Sequence, residues 1–330
     1  MSGAAKRTPP PFGPELRRMV WPLAPEAFLA RHYQRRHFVS HGPARRVRPI
    51  FEALGVQSVE QYLGRRREPV QIWYQTREGD YGVVDGASPG DAAGLYRSGL
   101  TVYINNVAEL LAWKERLGQQ LGFEEVGPGA ALFAARPGGG TRWHFDKLEN
   151  FTIQLQGTKR WRVAPNAHVA SPLDNWVTRQ RLSEEMRLYV PDALPREAPP
   201  GRSELVELKP GSMLYLPRGY WHTAEASRGD TLAVTFLFPP RTWVSRFIPA
   251  LQSRLTALPA WREHAAEALG DLRDDGRARE KVSALLGQLR AVVGQLRAED
   301  FVPAEGGAAP RVTPRTVFRK NPLAFLTVGP

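Results

Sequence analysis

Between Thr141 and Val163 the chain reads TRWHFDKLENFTIQLQGTKRWRV, and no other stretch restricts its possible folds as much. Apolar and polar residues alternate along it, which is the period of a half-buried strand. Residues two apart on a strand project from the same face. His144 and Asp146 can therefore present an imidazole nitrogen and a carboxylate oxygen to one point in space. Just upstream, Pro137-Gly138-Gly139-Gly140 breaks the pattern. No helix and no Gly-Lys-Ser/Thr sequence follows the glycines, so they read as a turn and not as a phosphate cradle.

A second β region begins at Leu205. LVELKPGSMLYLPRGYWHTAEA (205–226) has strand character around a Lys-Pro-Gly turn, and TLAVTFLF (231–238) is an apolar, β-branched strand of the buried type. It brings His222, giving the order His-X-Asp…His. Two His and one carboxylate on one face, with the remaining positions open, is the ligand set of non-haem Fe(II) oxygenases. His168 is a rival third ligand, and His-X-Asp alone occurs by chance in many chains. His32, His37 and His41 straddle a change from helix to strand, so no one face collects them.

The rest of the chain frames these two halves. Residues 1–24 read as a basic, Pro-rich tail, with Pro9, Pro10 and Pro11 in a row. From Pro25 a helix leads into a short strand at HFVS. Residues 50–63 read as helical, with Ser58 as an N-cap, and QIWYQT (71–76) as a strand. The Gly-, Asp- and Ala-rich section 79–99 reads as a mobile loop or lid. LTVYINNV (100–107) is a strand leading to an amphipathic helix at 107–123. Residues 164–205 read as a long insertion between the β halves. After Pro239-Pro240 the chain turns helical over about 245–300. There Val282, Leu285, Leu289, Val292 and Leu296 form an a/d seam of two heptads. Such a face must be covered by the β domain or by a second copy. The terminal stretch 303–330 ends in apolar VFRKNPLAFLTVGP, expected to dock or pair as a strand.

Composition narrows the classes. The 330 residues contain no cysteine, which removes disulfides, thiolate zinc sites and Cys nucleophiles, and fits a reducing cytoplasm. No apolar run approaches the roughly 18 residues that span a bilayer. Net charge is +12, much of it early, in Arg17-Arg18, Arg35-Arg36, Arg45-Arg46 and Arg65-Arg66-Arg67. A basic face can meet nucleic acid, but no nucleic-acid motif accompanies the charge.

The pattern T-x-x-H-x-D-x-x-x-N-F-x-x-Q-x-x-G-x-K-R is supplied by Thr141, His144, Asp146, Asn150, Phe151, Gln154, Gly157, Lys159 and Arg160. With PGSMLYLPRGYWH it resembles the JmjC-type cupin oxygenases, a family that includes the hypoxia-inducible-factor asparagine hydroxylase and the ribosomal-protein oxygenases. The resemblance covers roughly residues 25–240. It implies Fe(II) on His144, Asp146 and His222, with 2-oxoglutarate as co-substrate and O₂ as oxidant. Lys159, placed after a chain-reversing turn at Gly157, would anchor the far carboxylate of 2-oxoglutarate, aided by Thr141 and Tyr103. Asn150 would lie near the co-substrate. Two departures stand out: Ser212 replaces an acidic turn residue, and Thr235 replaces an Asn near the iron, which alters the polar contacts there.

The expectations are these. The fold is mainly β, a double-stranded β-helix (jelly-roll, cupin) core with flanking helices and a helical C-terminal extension. The tail spans 1–24, the catalytic domain 25–244, and the extension 245–330. The extension's helices would form a homodimer. The chemistry is hydroxylation of a peptide or protein side chain, with a free amino acid or natural-product intermediate as the alternative small-molecule substrate. Trp143, Tyr220 and Trp221 would wall the substrate site, covered by 79–99 and 166–204. A metal-binding cupin without turnover, or a basic nucleic-acid scaffold, would be the non-enzyme readings.

Overall fold

The computed structural model describes residues 14–76, 81–123, 126–127, 129–190, 193–199, 201–264 and 276–301. The chain divides into two units, Met1–Pro240 and Arg241–Pro330. In the first, helices α1 (Pro14–Val20) and α2 (Pro25–Arg31) precede strand β1 (Phe38–His41). Helices α3 (Arg48–Leu54) and α4 (Val59–Arg65) lead to β2 (Val70–Gln75) and β3 (Tyr81–Ala87). Then come α5 (Pro89–Arg97), β4 (Thr101–Ile104), α6 (Leu111–Gln120), β5 (Ala130–Ala135), β6 (Gly140–Phe145) and β7 (Glu149–Ala164). Among its described residues the insertion holds β8 (Trp176–Val177) and α7 (Glu184–Arg187). It is followed by β9 (Glu204–Leu208), β10 (Ser212–Leu216) and β11 (Trp221–Phe238).

Two long strands organise the unit. β7 and β11 pair antiparallel along their whole length, from Trp221 opposite Ala164 to Phe238 opposite Glu149. Their halves serve different neighbours. The first half of β7 and the second half of β11 sit in the order β1-β10-β7-β11-β5-β4-β2-β3. The other halves carry β9 on the β7 side and β6, with β8 beyond it, on the β11 side. Two strands shared by two antiparallel sets give the expected jelly-roll core.

Gly157 does not reverse the chain. It lies inside the continuous strand β7 with φ +64°, and the ladder to β11 is irregular there and around Gly229. The cavity-facing residues are Asn150 and Thr152 before Gly157, but Lys159 and Trp161 after it. A bulge shifts the side-chain phase by one, so an odd-numbered lysine faces the interior while Arg160 and Arg162 face solvent. A left-handed residue here must be glycine: a Cβ would lie 2.5 Å from the Asp230 carbonyl oxygen.

The section 79–99 is also more ordered than its composition suggested. From Tyr81 it forms β3, paired with β2, and then α5. The overlooked signal is Ser88-Pro89. Ser88 Oγ accepts a hydrogen bond from Asp91 N, and proline occupies the first turn. The Ser58 cap forms as expected, accepting from Gln61 N. Helix α1 falls within the stretch expected as a tail, yet Leu16, Met19 and Val20 are buried in the main core. Glu15 holds it to α6, accepting from Arg116 Nε at 2.6 Å and Gln120 Nε2 at 2.9 Å. Residues 1–13 and the apolar tail expected at 303–330 lie outside the described residues.

The second unit contains α8 (Trp243–Thr256) and α9 (Gly276–Gln295). Of the expected seam, Leu285, Leu289, Val292 and Leu296 are half-buried and Val282 is exposed. Trp243, Val244, Phe247 and Ile248 of α8 are exposed too.

Candidate metal and co-substrate site

His144 is the penultimate residue of β6, Asp146 lies just past its end, and His222 is the second residue of β11, where it is paired in register with His144. One ligand atom from each of the three lies within 4.8 Å of the others. Among the described residues this is the one group of at least three His, Cys, Asp or Glu side chains so arranged. His168 does not join it; its ring packs at 6.1 Å from Trp221. His32, His37 and His41 are dispersed as expected, bonded to the His37 carbonyl oxygen, Glu204 and Ser212 respectively.

Both imidazoles are held by backbone. His144 Nδ1 lies 2.7 Å from the Arg142 carbonyl oxygen and His222 Nδ1 2.9 Å from that of Tyr220. An Nδ1–H donated to a carbonyl leaves Nε2 as the free lone pair, the arrangement in which metal-binding histidines are oriented. Burial and the neighbouring His222 push the His144 pKa down to about 4, so its ring is neutral at pH 7. Burial raises the Asp146 carboxyl. That effect is outweighed by its hydrogen bond with His222, the two imidazoles and a 2.7 Å bond from Asn150 Nδ2, which hold it well below the usual range. A neutral His144 imidazole and an ionised Asp146 carboxylate are the protonation states a divalent metal requires of them. The donor set fits Fe(II).

These residues border a cavity of about 300 Å³. Lys159, 4% exposed, lines the same cavity. No carboxylate among the described residues pairs with it; its ammonium stands over the Phe133 ring, 5.5 Å from the centroid. Burial lowers its pKa to about 8. A buried cation without a counter-charge is costly, so the cavity is built for an anion that enters it. Thr141 Oγ1, Asn150 Oδ1 and Trp161 Nε1 are buried without hydrogen-bond partners, and all three residues line the cavity. Such orphans call for a ligand.

Tyr103 and Thr235 line the cavity as expected. Burial and the Asp146 charge raise the Tyr103 hydroxyl to about 12, so it remains a donor. Thr235 Oγ1 lies 2.9 Å from Thr152 Oγ1. Trp221 and Tyr220 are not substrate walls: neither borders this cavity, and Trp221 is fully buried in a side core. Trp143 borders an adjoining groove instead. Of the described residues in the two expected covers, Asn175 of the insertion lines the cavity and none of 81–99 does. The sequence reading missed Gln71, Trp73, Phe133 and Trp161. Trp73, Tyr103 and Phe133 form an aromatic wall with ring centroids 4.5–6.1 Å apart. Trp161, two residues beyond Lys159 on a recognised strand, was the one its position could have revealed.

Residues 119–245 match the JmjC domain family model. Over 260 residues the chain is 28% identical to the Bacillus subtilis (strain 168) protein YxbC, covering 76% of this chain and 78% of that one. It is 28% identical to Bos taurus ribosomal oxygenase 1 over 166 residues, which is 48% of this chain but only 22% of that protein's length. The Escherichia coli ribosomal oxygenase YcfD, solved with cobalt and 2-oxoglutarate, superposes with a TM-score of 0.48 and 16% identity, over 85% of this chain and 69% of that one. The triad, Lys159 and the paired strands β7 and β11 all fall inside the segment, residues 119–245, that matches the JmjC domain model.

Proposed function

We propose that the protein is an Fe(II)- and 2-oxoglutarate-dependent dioxygenase that hydroxylates a peptide or protein side chain. The observation that carries this reading is the pairing, across one small cavity, of a His-Asp-His metal corner with an unpaired buried lysine. His144, Asp146 and His222 would hold the iron. A bound Fe(II) with 2-oxoglutarate supplies oxidising power from O₂ sufficient to hydroxylate a C–H bond, releasing succinate and CO₂.

The remaining work falls to the chain's own residues. Lys159 neutralises the distal carboxylate of 2-oxoglutarate by a charge-assisted hydrogen bond, with Thr141 and the Tyr103 hydroxyl as further donors. Trp161 Nε1, which can only donate, adds a fourth, since every oxygen of the 2-oxoglutarate dianion is an acceptor. Asn150 keeps Asp146 ionised and oriented through its amide N–H. Thr152 and Thr235 share one hydrogen bond, which uses a single O–H, so one hydroxyl of the pair still has a proton to donate towards the cavity. The aromatic wall of Trp73, Tyr103 and Phe133 keeps water out.

A macromolecular substrate is favoured by the size of the cavity. Once 2-oxoglutarate occupies part of about 300 Å³, what is left suits one side chain better than a bulky metabolite. The relative described as a ribosomal oxygenase agrees with a protein target. A cytoplasmic location belongs to this reading, and a cysteine-free chain fits it. The 245–330 extension belongs to this reading as a homodimer contact, supported by the exposed Trp243, Val244, Phe247 and Ile248. The test is incubation of the full chain with Fe(II), 2-oxoglutarate and tryptic or intact host proteins, read by mass spectrometry. A gain of one oxygen on a defined residue, dependent on both additions and lost in His144→Ala, is expected. Succinate and a modified product made equally well by His144→Ala would overturn the iron assignment.

A further inference from the structure

The insertion after β7 builds a small core of its own, whose buried members include Phe145, Trp176, Met186, Val190, Leu194 and Trp221. Two of these sit beside the metal corner in sequence. Phe145 lies between His144 and Asp146, and Trp221 precedes His222. Neighbours on a strand project to opposite faces, so Phe145 and Trp221 point away from the cavity while the ligands point in. Trp176 meets both from outside. Its ring stacks on Phe145 at 6.2 Å and 26°, and stands edge-on to Trp221 at 5.8 Å and 84°; Phe145 and Trp221 are themselves 4.9 Å apart at 84°.

The backbone around Trp176 is tied to the same strand. β8 pairs with β6, placing Trp176 opposite Phe145 and Val177 opposite His144. Thr178 N donates to the Trp143 carbonyl at 2.9 Å. Asn175 Oδ1 accepts from Lys147 N at 2.7 Å, and Asp174 pairs with Lys147 Nζ at 3.5 Å. Trp176 is fixed in turn by its Nε1, which donates to the Gln180 carbonyl at 3.0 Å. Nothing in 174–178 supplies a metal ligand, yet every residue from 143 to 147 except Asp146 is gripped by it directly through pairing, ring contact or hydrogen bond.

We propose that the segment Asp174–Thr178 is a strap that sets metal affinity without supplying a ligand, with Trp176, on the side of the strands away from the cavity, as a positioning residue that holds the two ligand-bearing strands at the spacing a metal needs. The proposal rests on the reading that His144, Asp146 and His222 bind the metal. Groups that orient ligands without touching the ion typically change metal affinity 10- to 100-fold when removed.

The test is calorimetric titration of the full-length protein with Co(II) alone, without co-substrate, alongside the ligand-field absorption of bound Co(II). Trp176→Leu is expected to weaken Co(II) binding roughly 10- to 100-fold and to alter the spectrum, with Trp176→Phe recovering most of both. Leu194→Ala, which thins the same core away from the strap, is expected to leave affinity within about threefold and the spectrum unchanged. Asn175→Ala, a milder cut to the strap, is expected to weaken binding by several-fold and serves if Trp176→Leu does not fold. The strap is overturned if folded Trp176→Leu, or in its place Asn175→Ala, binds Co(II) like the wild type. It is overturned equally if Leu194→Ala weakens binding as much at a matched loss of melting temperature. A wild-type protein that binds no Co(II) would instead refute the metal reading itself.

Discussion

Lys159 is the residue whose energetics most clearly trade folding against binding. An ordinary lysine titrates near 10.4, and burial brings this one to about 8. Between those values the unfolded chain binds more protons than the folded one, so Lys159's contribution to stability rises with pH through that window. Below about pH 8 the buried charge is a standing cost. Lys159→Met is therefore expected to stabilise the protein without co-substrate by roughly 1–3 kcal/mol at pH 7, seen as a higher denaturation midpoint. The same variant should lose 2-oxoglutarate binding by calorimetry; retention of wild-type affinity would remove the anchor role. For the wild type, affinity for 2-oxoglutarate should fall as pH rises past 8, because the neutral amine no longer attracts the carboxylate. Trp161→Phe keeps the ring beside His222, now 5.9 Å away, but deletes the unpartnered N–H. It should weaken 2-oxoglutarate roughly tenfold while leaving Co(II) affinity unchanged, and an unaltered co-substrate affinity would return Trp161 to a packing role.

Elements were legible in the sequence where local chemistry and tertiary context agree. Alternation marked the stretch that holds β6 and β7, an apolar β-branched run marked the second half of β11, and Ser58 marked α4. The metal corner was legible because strand periodicity alone places His144 and Asp146 together, and the β segment carrying His222 was recognisable by its apolar run. Legibility ended where long-range pairing decides the outcome. Gly157 is as good a turn residue as a bulge residue, and only the full-length ladder with β11 shows that β7 continues. Glycine-rich YGVVDGA became a strand because β2 was there to pair with it. The aromatic wall came from three separate strands, so no spacing could announce it. Gly157→Ala tests the bulge. Its φ of +64° and the 2.5 Å approach to the Asp230 oxygen should cost about 2–4 kcal/mol in chemical denaturation. A loss under about 0.5 kcal/mol would mean that the strand passes this point without strain.

At the scale of the molecule, the β-rich unit builds a three-residue metal corner and an anion-receiving cavity from its own residues, while the helical unit exposes apolar surface. Trp243, Val244, Phe247 and Ile248 on α8, with Val282, Leu286 and Val293 on α9, are each between 43% and 67% exposed. Sedimentation at micromolar concentration should give a dimer that Phe247→Glu with Ile248→Glu converts to monomer; a wild-type monomer would leave those helices to intrachain cover. The basic early half and the identity of the hydroxylated residue belong to the search for modified proteins described above. The central claim, that one cavity holds Fe(II) and 2-oxoglutarate together, is tested most directly by anaerobic titration of the Fe(II)-loaded protein with 2-oxoglutarate. Chelation of iron by a 2-oxo acid produces a visible charge-transfer absorption. The account predicts this band in the wild type, its absence in His144→Ala, and a shift to much higher 2-oxoglutarate concentration in Lys159→Ala. No band in the wild type, or a band of equal midpoint in Lys159→Ala, would contradict it.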